Sequence, residues 1–337
     1  MDSFKAFRVH TIDGKPVCRF ERLTLEDLDP GAVVIKTAYS AITYKDAMAA
    51  RGVGKNVRTD RPCVTGVDLS GVVVSSQDPR FHDGDEVVVT NYKLGNGHDG
   101  AYADYARVPG DWIVPLPAGL SLYEAMGLGT SGLTAALTVD RLQAAGVTPQ
   151  SGAIGITGAT GGVGSLAVNM FAQLGYEVIA ITGKQDQKDF LESIGARSIL
   201  PRAEFLCDRA PLAPALFAGA LDNVGGVYLD RLGAKMQPFG KLAVAGMAAG
   251  AEVSTTVLPL ILRSIDILGI NVSRQLQMPQ RRHLWQRMAS DLKPKDLARI
   301  SRPIPFEDLD RNMDRFFAAS TIGRIVVEVG ERAPPSA

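Results

Sequence analysis

Ala153-Ile154-Gly155-Ile156-Thr157 runs directly into Gly158-Ala159-Thr160-Gly161-Gly162-Val163-Gly164, and Leu166, Ala167, Met170 and Phe171 then recur at helical spacing. The order is strand, glycine-rich turn, helix. As a variant of G-x-G-x-x-G its key positions are Ala159, Gly161 and Gly164, which serve the tight turn, the close approach of backbone to a pyrophosphate, and close helix-to-strand packing. The amides of Gly162 and Val163 at the start of the helix then face phosphates, aided by the helix dipole. Glycine spacing alone is a weak signal, and the flanking strand and helix give it weight.

Downstream the chain alternates strands and helices, which implies a doubly wound parallel sheet of the Rossmann kind. The expected strands are 153–157, 177–182, 197–200, 219–224, 241–245 and 265–270, with helices over 162–174, 185–194 and 226–236. The second strand ends at Ile181-Thr182-Gly183-Lys184, about 20 residues past the turn, where an NAD site places an acid against the ribose 2′-hydroxyl. No Asp or Glu stands there. Thr182 and Lys184 can donate to a 2′-phosphate instead, and Arg202, in Leu200-Pro201-Arg202, can approach the same place. The expected cofactor is therefore NADPH.

Upstream, from Phe4 to about Leu116, short strands are broken by Gly, Pro and Asp, as in 33–36, 71–74 and 86–89. This predicts a mainly β domain. A helix is expected over 122–145 after Pro115 and Pro117. Beyond Ser273 the pattern predicts one amphipathic helix near 279–292 and a last strand over 324–329 that returns to the first domain. The expected domains are 1–121 with 274–337, and 122–273. The tail 332–337 is expected to be disordered.

The 337 residues are enough for two cores, since single cores stop growing at roughly 250 to 300 residues. No apolar run approaches the ~18 residues of a membrane span. Lys plus Arg (36) balance Asp plus Glu (36), so no overall field recruits nucleic acid or anionic lipid. Small-molecule partners are expected. Cys18, Cys63 and Cys207 are too few and too scattered for a disulfide framework, and no secretory signal is visible, so a cytoplasmic location is expected.

The spacings of His10, His82, His98, His283 and the three cysteines match no metal-binding pattern, so no metal is expected. Hydride transfer without a metal needs hydrogen bonds or cations to activate the carbonyl, which suits conjugate reduction of an enoyl thioester or a quinone.

Ile42-Thr43-Tyr44-Lys45-Asp46-Ala47, the segment Pro62 to Gly71, Asp78-Pro79-Arg80-Phe81-His82 and Gly110-Asp111-Trp112 resemble the zinc-free branch of the medium-chain dehydrogenase/reductase superfamily. Within it the likeness is to the NADPH-dependent acryloyl-CoA reductases. Gly66-Val67-Asp68 stands where zinc-dependent members carry Gly-His-Glu, and Thr43 replaces the family's usual Asn. The resemblance implies an α/β protein with a GroES-like mainly-β catalytic domain and a Rossmann domain, working as a homodimer. It implies Tyr44 at the nicotinamide and Asp46 close behind it as catalytic residues, with Tyr44 alternatively only packing against the nicotinamide and Asp46 alternatively capping its helix. It implies cofactor contacts at Thr160, Gly161, Gly162, Val163, Thr182, Gly183, Lys184, Arg202, Met247 and Ile261. Asp222-Asn223-Val224-Gly225 is expected to border the adenosine, with Asp222 alternatively bound to neighbouring amides, and Arg324 either meets a phosphate or is a solvated strand end. Three functions follow as expectations: reduction of acryloyl-CoA to propanoyl-CoA, NADPH quinone oxidoreduction, and NADPH binding without turnover.

Overall fold

A computed structural model of the chain describes residues 3–54, 57–273 and 275–330; the tail expected to be disordered lies outside them. The chain forms two compact units. One comprises the residues up to Thr130, Ser273–Ala289 and the residues from Ser301 on; the other comprises Ser131–Val272 and Ser290–Ile300. The mixed α/β class, mainly β in the first unit and Rossmann-like in the second, is as the sequence implies.

In the first unit a seven-stranded sheet runs in the order Ser301–Pro305, Arg324–Glu328, Val33–Ile42, Asp68–Ser76, Glu86–Thr90 and Ile113–Pro115, with Tyr105–Val108 also paired to Val33–Ile42. A three-stranded sheet is built from Lys15–Leu23, Phe4–Ile12 and Cys63–Val64. The last strand does return to this unit, antiparallel to Val33–Ile42. Alternation along the strands buries Ile35, Leu69, Val73, Val87 and Val89 in one cluster.

Elements not expected after residue 292 include the edge strand Ser301–Pro305, parallel to Arg324–Glu328, and the helices Leu297–Ile300 and Leu309–Phe317. Prolines at 303 and 305 hide that strand in the sequence, because proline lacks a ladder donor. An edge position tolerates it.

The second unit holds six parallel strands in the order Ser198–Pro201, Val178–Thr182, Ala153–Thr157, Phe217–Asp222, Met236–Val244 and Asp266–Gly269. Numbered along the chain this is 3-2-1-4-5-6, the order in which the topology reverses between the first and fourth strands and leaves a crevice at their carboxyl ends. Val178–Thr182 is buried at every residue, as a sheet covered on both faces requires.

Candidate functional site

The crevice in the second unit is formed by the turn after Thr157. Gly158 takes the left-handed conformation at φ 59°, whereas Ala159 is a buried residue without a positive φ. The tight turn thus rests on Gly158, one residue earlier than the motif reading placed it. The third position is as expected: a β-carbon on Gly164 would lie 2.3 Å from the Gly158 carbonyl oxygen. Gly161 caps the helix Gly162–Gln173. The first-turn amides, those of Gly162 and Val163 among them, have no acceptor within the helix and add to the positive end of its dipole. Thr160 is buried beside them. This frame suits a pyrophosphate.

At the end of the second strand the Thr182 hydroxyl accepts a bond from the Lys184 amide (3.0 Å), which leaves its own proton available to donate. A β-carbon on Gly183 would lie 2.9 Å from the Arg202 guanidinium carbon, so the guanidinium lies against the bare backbone of Gly183. The parallel pairing of Thr182 with Pro201 puts Arg202 there. Crowding by protein holds the Lys184 pKa below the ordinary lysine value, an effect that nearby Asp186 opposes. Thr182, Gly183, Lys184 and Arg202 thus lie at neighbouring strand ends, two of them cationic, the kind of side chain that can bind a phosphate.

Asp222 binds neighbouring amides, the second of its two expected roles. Its carboxylate accepts bonds from the Thr157 hydroxyl (2.6 Å) and from the amides of Val224 (3.0 Å) and Gly225 (3.1 Å). Its strand flanks Ala153–Thr157 on the side opposite Val178–Thr182, so Asp222–Gly225 follows a strand on the other side of the turn from Thr182 and Lys184. Met247, 60% exposed, stands beside this segment, its Cα 3.0 Å from where a β-carbon on Gly225 would sit. Ile261 is 67% exposed on the short helix Leu258–Arg263, whose Arg263 is tied to the carbonyls of Ala234 and Met236. The structure does not gather Ile261 with the turn.

In the first unit Tyr44 opens the helix Tyr44–Arg51. Its ring is partly exposed and lies 5.6 Å from that of Phe317, and its hydroxyl has no hydrogen-bond partner among the described residues. Asp46 is buried. Its carboxylate accepts bonds from the Thr43 amide (2.8 Å), the Thr43 hydroxyl (2.6 Å) and the Val67 amide (3.0 Å). That is a capping box with a tie to the next segment, which makes Asp46 a group that positions Tyr44. Threonine in place of the family's asparagine keeps this cap.

Burial, reinforced by the charge of Asp68, pushes the Asp46 carboxyl up to about 6. The folded chain therefore keeps a proton that the unfolded chain releases near pH 4, so this group's contribution to stability falls as pH rises from about 4 to 6. Asp46→Asn is expected to flatten that fall by up to about 3 kcal/mol, read by urea unfolding at pH 4 and pH 7. An unchanged pH dependence contradicts the assignment.

Arg324 is neither solvated nor turned toward a phosphate. It is 2% exposed, pairs with Asp68 at 3.7 Å and donates to the carbonyls of Ile42, Met126 and Gly127. Among the described residues no three His, Cys, Asp or Glu side chains converge as a metal site, and no helix is long and apolar enough to cross a membrane. A cavity of about 260 Å³ beside Tyr92 carries Arg80 and Arg282, but Arg80 is paired with Asp78 and Asp111, so the cavity offers little net charge to an anion.

Two family models match the chain, one described as the alcohol dehydrogenase GroES-like domain over residues 29–118 and the other as zinc-binding dehydrogenase over 162–290. The acrylyl-CoA reductase AcuI of Ruegeria pomeroyi is 39% identical over 94% of this chain and 96% of its own. The chain belongs to the medium-chain dehydrogenase/reductases, in their AcuI/YhdH acrylyl-CoA reductase family. This is a family of oxidoreductases. Among solved relatives in it, Escherichia coli YhdH with bound NADPH is 38% identical and superimposes with a TM-score of 0.93 over 96% of this chain and 100% of that one. Bacillus subtilis YhfP, provisionally named a quinone oxidoreductase, is 44% identical over 91% of this chain and 93% of its own. Its crystal structure holds NAD and superimposes with a TM-score of 0.93 over 97% of this chain and 100% of that one. The zinc in the second model's description has no counterpart at Gly66-Val67-Asp68, where valine occupies the histidine position of zinc-dependent members.

Proposed function

We propose that this enzyme uses NADPH to reduce the carbon–carbon double bond of acryloyl-CoA, giving propanoyl-CoA. The observation that carries the cofactor is the Lys184 and Arg202 cluster at the second strand end, where no acid stands. What supports the substrate is full-length likeness, at 39–40% identity, to proteins named acrylyl-CoA reductases. Bound on the Gly158–Gly164 turn, with contacts from Thr160, Gly161, Gly162 and Val163, NADPH supplies a hydride from its nicotinamide ring. Met247 and Ile261 are proposed as further contacts with it.

Tyr44 lines the nicotinamide in this reading, and its unpartnered phenol donates to the thioester carbonyl. As the β-carbon takes the hydride, the electron pair of the double bond moves toward that carbonyl as an enolate. A proton at the α-carbon completes the product. NADPH deuterated at the transferred position is expected to yield propanoyl-CoA labelled on the β-carbon, read by mass spectrometry and NMR. Unlabelled product, or no product, contradicts the reading.

The provisional name of YhfP favours quinone reduction as the second reading. A homodimer is proposed through the outer strand Asp266–Gly269, since Ile261 (67% exposed), Leu262 (62%) and Ile267 (48%) leave an apolar edge uncovered. Light scattering is expected to give twice the chain mass, and Ile267→Lys is expected to shift it toward the monomer. A wild-type monomer rejects this.

A further inference from the structure

Without a metal, the charge that gathers on the thioester carbonyl needs another positive partner, and one cation stands next to Tyr44. Lys45 is the second residue of the helix Tyr44–Arg51, and its side chain is solvent-accessible. Its ammonium donates to Asn91 Oδ1 at 2.8 Å. Asn91 is itself buried, and its Nδ2 donates to Thr130 Oγ1 at 2.7 Å, which fixes the amide so that its oxygen faces the lysine. Thr130 in turn donates to the fully buried Asp68 through its hydroxyl and, at 2.8 Å, through its amide. A chain of hydrogen bonds thus runs from the ammonium of an exposed residue to a buried carboxylate.

The backbone that holds this arrangement is strained. Asn91 (φ 61°) and Tyr92 (φ 55°) are consecutive non-glycine residues in the left-handed region, where each costs on the order of 1–3 kcal/mol. Packing sustains it: the Tyr92 ring lies under the Arg281 guanidinium at 4.5 Å and stacks on Trp112 at 5.5 Å. An ammonium has three donors, and Asn91 takes one.

On the enoyl-CoA reading above, we propose that Lys45 is a catalytic residue whose ammonium donates to the thioester carbonyl oxygen and takes up the enolate charge. The hydride forms the new C–H bond at the β-carbon, the π pair becomes the enolate, and a proton from water closes the α-carbon while NADPH becomes NADP. Crowding holds Lys45 below the ordinary lysine pKa, with Asp68 and Asp46 favouring its charge and Arg281 opposing it.

The test uses the full-length enzyme with NADPH and acryloyl-CoA, and follows NADPH binding separately by nicotinamide fluorescence. Lys45→Met is expected to lower kcat by about 100-fold or more, the loss typical of one oxyanion donor, with the NADPH Kd within about threefold. Lys45→Arg is expected to recover part of the rate and to remove the alkaline fall in kcat/KM that the wild type shows as Lys45 deprotonates. Asn91→Ala keeps the ammonium but loosens it, and is expected to cost about tenfold in kcat.

A Lys45→Met enzyme within about threefold of the wild-type kcat overturns the proposal, as does an alkaline limb unchanged in Lys45→Arg. Should Lys45→Met not fold, the Lys45→Arg profile decides. A wild type that leaves acryloyl-CoA untouched removes the substrate reading itself, a result separate from an active wild type matched by Lys45→Met.

Discussion

Replacing both Lys184 and Arg202 with alanine is expected to raise the Kd for NADPH by about 10²- to 10³-fold while leaving the Kd for NADH within about threefold. Arg202 lies against Gly183, next in sequence to Lys184, because the second and third strands pair in parallel, with Thr182 opposite Pro201. Each charge-assisted bond to a phosphate contributes roughly 1.5–3 kcal/mol, and NADH lacks that phosphate. The single variants are expected to fall between, with Lys184→Ala selective against NADPH. Fluorescence titration of both nucleotides checks this. Equal losses for the two would show that the cluster reads something other than the 2′-phosphate. The comparison has a natural reference, since the YhfP relative was crystallised with NAD.

Gly164→Val is expected to abolish measurable NADPH binding. The clash it creates is β-carbon against backbone: its β-carbon would sit 2.3 Å from the Gly158 oxygen and 2.7 Å from Ala159 Cα. No side-chain rotation relieves that, so the helix Gly162–Gln173 must move away from the strand. Its first-turn amides then leave the phosphate position. The buried packing of Leu166, Ala167, Val168 and Met170 loosens with it, and the Tm is expected to fall by several degrees. Gly164→Ala is expected to show the same effects in weaker form. Calorimetry beside the titration separates loss of the turn from loss of the fold, and a Gly164→Val protein that binds NADPH normally would show that the close approach is not needed.

The Rossmann unit was legible because its signals are local. A glycine turn between a buried strand and a helix, followed by regular alternation, fixes strand type and cofactor edge within about 70 residues. The cationic residues proposed for the 2′-phosphate were readable for the same reason, since each follows a strand end. What the sequence hid depends on distant packing. Asp222 had two expected roles, and only the fold shows its carboxylate held by Thr157 and the Val224 and Gly225 amides. Arg324 could have met solvent or phosphate, and its burial against Asp68 is set by segments nearly 200 residues or more away in sequence. Lys45 went unread although it adjoins Tyr44, because its partner Asn91 lies 46 residues on, in a left-handed bend that no glycine announces. The strand Ser301–Pro305 is disguised by its prolines, and the leftward shift of the tight turn from Ala159 to Gly158 is a matter of one φ angle.

The central claim, that this NADPH-dependent enzyme acts on an enoyl thioester, is tested most directly by anaerobic steady-state kinetics of the purified protein with NADPH and either acryloyl-CoA or 1,4-benzoquinone. The account predicts a kcat/KM for acryloyl-CoA at least about 100-fold above that for the quinone, a gap of ~2.7 kcal/mol in transition-state stabilisation. A higher kcat/KM for the quinone would contradict it.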